Sequence, residues 1–107
     1  MSRFVISAVS VANHRVTRCR IHAIICGDST KPEYEPRGRI AYADEVVNKV
    51  LAHIDQVWVL RWHDGAKLPP ERVRVPQRAD GVDALESCDA DGNRTESLHQ
   101  APQLNDE

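Results

Sequence analysis

The order of apolar and polar positions predicts four β-strands in the N-terminal part of the chain. Residues 4–11 are rich in β-branched side chains, and residues 15–25 alternate between polar and apolar ones, which is typical of strands. A short turn at residues 12–14 joins the two, so we expect an antiparallel hairpin. Residues 56–62 and 72–75 alternate in the same way and predict the third and fourth strands.

One helix is predicted between the second and third strands. Apolar side chains recur at steps of three and four over residues 41–54, which makes one apolar stripe. Residues 27–39 are rich in glycine, proline and polar side chains, and this composition predicts a loop. The element order is therefore β-β-α-β-β, and one helix can cover only one face of a sheet. The sequence predicts a two-layer α+β fold: a four-stranded, mainly antiparallel sheet with one helix on one face.

Strand alternation assigns each side chain of the sheet to the helix side or to the opposite side, which we name the open face. We expect Trp58, Leu60 and Trp62 to pack against the helix, and the other helix-side residues would be Phe4, Ile6, Ala8, Cys19, Ile21, Ala23, Ile25, Val73 and Val75. The open face would then carry Val5, Ser7, Val9, Arg18, Arg20, His22, Ile24, Val57, Val59, Arg61, His63, Arg72 and Arg74. A shift of one residue in any strand would reverse its two rows.

Charge and apolar content divide the chain into two parts. The whole chain has 14 Lys and Arg against 16 Asp and Glu, a net charge of −2. Residues 1–75 carry 12 basic against 8 acidic residues, a net charge of +4, whereas residues 76–107 carry 2 against 8, a net charge of −6, and few large apolar side chains. Burial of so few apolar side chains cannot offset the entropy cost of ordering a segment. We therefore expect a compact domain over residues 1–75 and an acidic, largely disordered tail over residues 76–107.

The predicted open face contains no acidic side chain, which is unusual for a solvated surface. Arginines form bidentate contacts with carboxylates and phosphates, so a row of them favours an anionic partner. We expect a non-enzymatic binding protein that engages a protein partner or a second copy of itself through this face. The binding residues would be Arg18, Arg20, His22, Arg61, His63, Arg72 and Arg74, and the interface between two copies would include Val5, Val9, Val57 and Val59.

Two other interpretations of the open face stay open. A solvated face without a partner would also place arginine stems over valines. A nucleic-acid-binding module, modulated by the acidic tail, would use the same arginines on phosphates. Single-stranded nucleic acids also stack their bases on exposed aromatic rings. Because Trp58 and Trp62 are expected to face the helix, a protein partner or a second copy is favoured over a nucleic acid.

Motifs for metal or cofactor binding are weak. Cys19, His22 and Cys26 have a spacing that resembles a zinc site. On an extended strand, however, the first two point to opposite faces and the last two lie roughly 13 Å apart. The segment GDSTK at residues 27–31 lacks the spacing of a Walker phosphate loop. We expect neither a metal nor a cofactor.

The sequence also predicts no enzyme. Ser10 and Ser29 have no recognisable base and no residue to orient one. A small enzyme with an unrecognised site is the remaining alternative, and it would need a cluster of serine, histidine and aspartate brought together by the fold.

The cysteine count and the hydropathy indicate a location. Three cysteines are an odd number, and no apolar run approaches the roughly 20 residues of a membrane helix. We expect a cytoplasmic protein with reduced thiols and no contact with a membrane.

Three segments resemble small bacterial β-β-α-β-β domains of unknown function: FVISAVSVANHRVTRCRI, ADEVVNKVLAHIDQVWVLRWHDG and ERVRV. In those domains an I-T-like strand follows a short turn, here at Val16 and Thr17, and a V-x-V strand closes a hairpin, here at residues 73–75. The resemblance implies the fold and a bacterial or phage-type origin, and it implies no activity.

Overall fold

The computed structural model describes residues 2–13, 15–27, 32–52, 55–75 and 85–104. Within these residues, eight strands form one mixed sheet and a single short helix packs on it. The elements are β1 (Ser2–Ala12), β2 (Arg15–Cys26), β3 (Glu33–Tyr34), β4 (Arg39–Tyr42), α1 (Ala43–Leu51), β5 (Asp55–His63), β6 (Ala66–Arg74), β7 (Glu86–Cys88) and β8 (Arg94–Thr95).

The strand order across the sheet is β3-β2-β1-β5-β6-β7-β8, and β4 pairs with β2 alongside β3. The pairing of β1 with β5 is parallel, and the other strand pairs are antiparallel. Two hairpins form where the sequence has turn residues. Asn13 and Asp64 both adopt positive φ, at 53° and 50°, which Asn and Asp tolerate better than most residues.

The predicted four-stranded β-β-α-β-β fold is wrong, because the sheet has eight strands and the helix is short. β3 lies in the predicted loop, and β4 spans the end of that loop and the start of the predicted helix; both strands are short and add to the outer edge of β2. The predicted last strand is longer than expected, because β6 starts directly after the turn at Gly65 and runs through Pro69 and Pro70. Short strands held by pairing to a long neighbour leave little periodicity in the sequence.

Part of the predicted disordered tail belongs to the sheet. Residues 85–104 contain β7 and β8, and Leu85, Leu98 and Leu104 are all buried. The Val9 amide donates to the Pro102 carbonyl at 3.0 Å, and the Leu104 amide donates to the Val9 carbonyl at 2.8 Å. A few leucines at the right positions therefore suffice to attach a polar segment to an existing core. The tail prediction for residues 76–84 and 105–107 lies outside the described residues.

The helix side of the sheet holds the larger core. Its buried members are Ile6, Val9, Val16, Cys19, Ile21, Ala41, Val46, Val47, Val57, Val59, Val73, Leu85 and Leu98. The smaller core lies on the open face, where Val5, Trp58 and Leu60 pack with Ile24 and Tyr34. The sheet is thus covered on part of both faces.

The predicted facing of β5 is reversed. Val57 pairs with Phe4 and Trp58 pairs with Val5, so the valines of β5 face the helix while Trp58 and Leu60 face the open side. Both rows of this strand are apolar and both are buried, so alternation alone could not choose between them. Trp62, also expected under the helix, is 42% exposed.

The facing of β1 changes along its length. The register with β2 shifts between Ile6 and Ala8, which is the mark of a β-bulge at Ser7. Val5 therefore lies on the open face as expected, whereas Val9 belongs to the helix-side core. A bulge of this kind leaves no clear signal in the hydrophobic pattern.

Replacement of Leu98 by alanine tests the attachment of residues 85–104. Because Leu98 is fully buried, Leu98→Ala is expected to lower the free energy of unfolding by about 2–5 kcal/mol. Leu51→Ala on the exposed end of α1 is the matched control and should change it by less than about 1 kcal/mol. Urea denaturation followed by tryptophan fluorescence measures both, and equal effects of the two changes would contradict this packing.

Candidate binding surface

An exposed patch forms where β4 pairs with β2. Arg18 pairs with Tyr42 and Arg20 pairs with Ile40, and the buried pair Cys19–Ala41 lies between them. Because Cys19 and Ala41 face the helix-side core, the flanking pairs face the open side. Tyr42 is 70% exposed and Ile40 is 45% exposed. We name Arg18, Arg20, Ile40 and Tyr42 the edge patch.

Ile40 and Tyr42 of the edge patch lie on β4, a strand at the border of the sheet. Among the described residues, β4 pairs with β2 and with no other strand. In the described part of the chain, no strand pairs with its outer side, and the unpaired N–H and C=O groups of such an edge can accept an added strand. Large apolar side chains beside arginines on such an edge can form the centre of an interface.

His22, one of the predicted contact residues, lies inside the structure instead. Its Nε2 is 2.7 Å from the Ser7 hydroxyl, and its Nδ1 is 2.8 Å from the Glu35 carbonyl oxygen. A carbonyl can only accept, so Nδ1 carries the proton and the neutral ring accepts at Nε2 from Ser7. The ring is 6% exposed and packs edge-on against Tyr34, with 5.3 Å between ring centroids. His22 therefore fastens residues 34 and 35 to the sheet.

Gly38 allows the loop between β3 and β4 to lie close against the sheet. A Cβ at this position would lie 2.6 Å from Arg20 Cγ and 2.8 Å from His22 Cε1. Such distances are too short for carbon atoms, so any other residue would push the loop away. The loop before β4, and with it the edge patch, is held in place by this close approach.

The arginines of β6 are already engaged. The Arg72 guanidinium lies 5.1 Å from the centroid of the Trp58 ring, which is 9% exposed. Arg74 donates to the Glu86 carboxylate at 2.7 Å and to the Gly92 carbonyl at 2.8 Å. The hydrogen bond that Arg74 donates to Glu86 raises the pKa of Arg74 above its ordinary value. Arg72 therefore packs on Trp58 of the neighbouring strand, and Arg74 connects β6 to β7.

Arg61 and His63 do not join the edge patch. Arg61 donates from Nε to the Pro69 carbonyl at 2.7 Å and lies 3.9 Å from the buried carboxylate of Glu71. His63 lies beside the exposed hairpin turn, with Nε2 3.3 Å from the Asp64 carboxylate. The basic side chains predicted to form one row therefore do not form a single surface: these two lie against β6 and beside the hairpin turn.

The four valines of the predicted interface are all in the interior. Val5 and Val59 are fully buried, and Val9 and Val57 are each 1% exposed. They form no surface strip, because the bulge in β1 and the reversed facing of β5 turn most of them toward the helix. Val5 faces the open side but is covered by its neighbours in the smaller core.

A groove of about 450 Å³ lies between β3 and β6 on the open face. Lys67 borders it, with Nζ 4.9 Å from the centroid of the Tyr34 ring and 3.2 Å from its hydroxyl. We name it the proline groove after its residues, which are Pro32, Glu33, Tyr34, Leu60, Lys67, Leu68, Pro69 and Pro70. Sequence reasoning missed it, because β3 falls within the predicted loop and the predicted fourth strand begins at residue 72, after the two prolines.

The three cysteines are free and do not converge with His22. Cys19 lies in the helix-side core, and burial raises the pKa of its thiol to about 12. Cys26 is exposed and its thiol donates to the Glu33 carboxylate at 3.0 Å. That hydrogen bond raises the pKa of Cys26. Within the described parts of the chain, no group of three potential ligands could hold a metal ion.

Comparison with known proteins finds no matching protein family, no matching curated protein and no matching solved structure. The one helix among the described residues is also too short to cross a membrane.

The close approach of Gly38 can be tested in a double-mutant cycle. Gly38→Ala is expected to lower the free energy of unfolding by about 1–3 kcal/mol, because the new methyl group overpacks the contact with His22. In a His22→Ala background the same change should cost at least about 0.5 kcal/mol less. Equal costs in the two backgrounds, measured by urea denaturation, would show that the ring does not restrict this position.

The cysteines provide a test of burial by alkylation. In the folded protein iodoacetamide should modify Cys26 alone, and in denaturant it should modify all three cysteines. Glu33→Gln removes the carboxylate that raises the pKa of Cys26, so more thiolate is present at pH 8 and alkylation should become severalfold faster. Mass spectrometry of the alkylated peptides measures both effects. An unchanged rate in Glu33→Gln would contradict the hydrogen bond.

Proposed function

We propose that this protein is a binding protein whose edge patch engages an extended, acidic segment of a protein partner. The observation that carries the proposal is the exposure of Tyr42 and Ile40 on the border strand β4, beside arginines of the neighbouring strand β2. Tyrosine and arginine are enriched among the residues that dominate the energy of protein interfaces. The Tyr42 ring is exposed to water, and a partner that buried its apolar surface would gain free energy from that burial.

The extended shape of the partner follows from the edge of β4. A segment that adds to this edge would form backbone hydrogen bonds, and its alternate side chains would lie on the edge patch. β4 would lie between the added strand and β2, so acidic side chains at those positions would meet the long side chain of Arg20 where it reaches across β4. Apolar side chains between them would contact Ile40 and Tyr42.

A second copy of the chain fits this edge less well. The sequence of β4 is Arg-Ile-Ala-Tyr, with Arg37 just before it. The edge patch of a second copy would bring further arginines and no acidic side chain toward Arg20, and like charges on neighbouring strands are destabilising. The buried valines also leave no apolar strip for a homodimer.

A nucleic acid fits the open face less well for a different reason. Trp58 does face the open side, but the Arg72 guanidinium already covers its ring. A base would have to displace this contact before it could stack.

A reducing compartment such as the cytoplasm is part of the proposal. All three cysteines are free thiols, and one of them is exposed. Exposed free thiols persist where the surroundings keep them reduced.

Fluorescence anisotropy with a labelled eight-residue peptide of alternating Glu and Val tests the edge patch. Tyr42→Ser and Arg20→Glu should each weaken binding at least tenfold, because one removes the exposed ring and the other reverses the local charge. Ile25→Ser is the matched control, since Ile25 is an exposed aliphatic residue on β2 that lies away from β4, and it should change the affinity less than twofold.

Three outcomes would contradict the proposal. A peptide of alternating Lys and Val that binds equally well would exclude charge recognition. Tighter binding of labelled oligothymidylate, with affinity that falls steeply as salt rises, would indicate a nucleic-acid-binding module. A concentration-dependent dimer in sedimentation that Tyr42→Ser abolishes would indicate self-association through the edge patch.

A further inference from the structure

We propose that Ser7, His22 and the Glu35 carbonyl form a nucleophile, base and orienting group that make Ser7 an acyl acceptor, with the proline groove holding an aliphatic acyl chain. This inference goes beyond binding at the edge patch and uses different residues. It assigns a reaction to three hydrogen-bonded groups, none of which belongs to the edge patch.

The first observation is the geometry of the chain. The Ser7 hydroxyl lies 2.7 Å from His22 Nε2, and His22 Nδ1 lies 2.8 Å from the Glu35 carbonyl oxygen. The carbonyl holds the proton on Nδ1, so the lone pair of Nε2 points at the serine hydroxyl. A serine with a hydrogen-bonded base, and a base oriented by a third group, is the arrangement that activates hydroxyl nucleophiles. Here a backbone oxygen takes the place of the usual carboxylate.

The second observation is the position of Ser7 on the bulge of β1. Residues Ile6 and Ala8 belong to different registers with β2, so Ser7 is the extra residue between them. Bulges re-aim a side chain and are common beside functional sites. Ser7 is partly exposed whereas His22 is buried, so the nucleophile is open to a substrate while its base is shielded from water.

The third observation is the lining around the pair. The parallel pairing of β1 with β5 ends at Ile6 and Val59, one residue before Ser7 and Leu60. Leu60 is part of the proline groove. Tyr34, another wall of the groove, packs against the His22 ring. The Tyr34 ring therefore borders both the proline groove and the base of the pair.

Gly38 lies close against the other side of the pair. A Cβ at this position would lie 2.9 Å from His22 Nε2, the atom that accepts the Ser7 proton. A larger residue would displace the loop or the ring and disturb the hydrogen bond to Ser7.

The reaction class is acyl transfer from an ester with an aliphatic acyl chain. Ser7 Oγ attacks the ester carbonyl carbon, and its proton moves to His22 Nε2. The bond from the carbonyl carbon to the alcohol oxygen then breaks, and that oxygen takes the proton from Nε2 and leaves as the alcohol. In hydrolysis, water attacks the acyl-serine, gives its proton to His22, and Ser7 recovers a proton as the carboxylic acid departs.

A fluorophosphonate with a long alkyl chain tests the nucleophile in the full-length chain. Ser7 Oγ forms a bond to phosphorus, fluoride leaves, and the serine proton passes to His22 and then to solvent. Peptide mass spectrometry should find the adduct on Ser7 of the unchanged protein. Ser7→Ala should abolish labelling, whereas Ser10→Ala on the same strand should leave the rate within twofold.

The base and the groove have separate tests. His22→Ala should slow labelling at least 100-fold, which is the lower range of general-base catalysis, with circular dichroism to verify that the variant is folded. Leu68→Asp at the groove should reduce labelling by the long-chain probe at least tenfold and leave labelling by a methyl fluorophosphonate within threefold.

Four outcomes would overturn the proposal. One is no adduct on Ser7 after prolonged exposure of the folded protein. Another is an adduct on Ser10 or other serines at the same rate, which would show ordinary hydroxyl reactivity. A folded His22→Ala variant with unchanged labelling would leave the hydrogen-bonded chain a purely structural fastening. Equal loss of long and short probes in Leu68→Asp would exclude the groove as the acyl site. Failure at the edge patch would leave all four results unaffected, because the two tests share no residue.

Discussion

The structure depends on the hydrogen bonding of β1 along both of its edges. One edge pairs with β2 over nearly its whole length. The other pairs in parallel with β5 up to Ile6, and beyond the bulge Val9 bonds to residues 102 and 104. Because β1 joins the two hairpins and the C-terminal residues, its register decides which side chains of its neighbours enter each core.

The contacts of the arginines show that a row of basic residues in the sequence does not identify a binding surface by itself. Arg72 covers a tryptophan and Arg74 holds Glu86, so both stabilise the sheet and are engaged before any partner arrives. Arg20 lies at the border strand beside an exposed aliphatic residue. The same residue type on the same sheet is therefore structural in one place and a candidate contact in another.

Local signals made part of the fold predictable. The alternation of β2 correctly placed Cys19 and Ile21 toward the helix, because polar and apolar residues differ sharply there. The alternation of β5 failed, because valines occupy one row and Trp58 and Leu60 the other, and both rows are buried. The short strands of the predicted loop and tail depend on long neighbours, and three well-placed leucines outweigh a polar average composition.

The candidate sites were less accessible to sequence reasoning than the strands. The contact of Ser7 with His22 joins residues on different strands through a bulge, and the base is oriented by a backbone oxygen that no motif contains. The exposed residues of the edge patch lie on a strand of four residues, which is too short to show a clear alternation of polar and apolar side chains. The predicted contact residues Arg18 and Arg20 do lie on this surface, whereas His22 is interior.

The bonds between Val9 and residues 102–104 also affect how the chain acquires its structure. The strand that leaves the ribosome early completes its hydrogen bonds only after a segment more than 90 residues later has emerged. Contacts so distant along the chain slow folding, since a large loop must close before they form. The nascent protein therefore reaches its native state only after synthesis of this segment, and until then the incomplete sheet exposes unpaired strand edges, which are prone to aggregate.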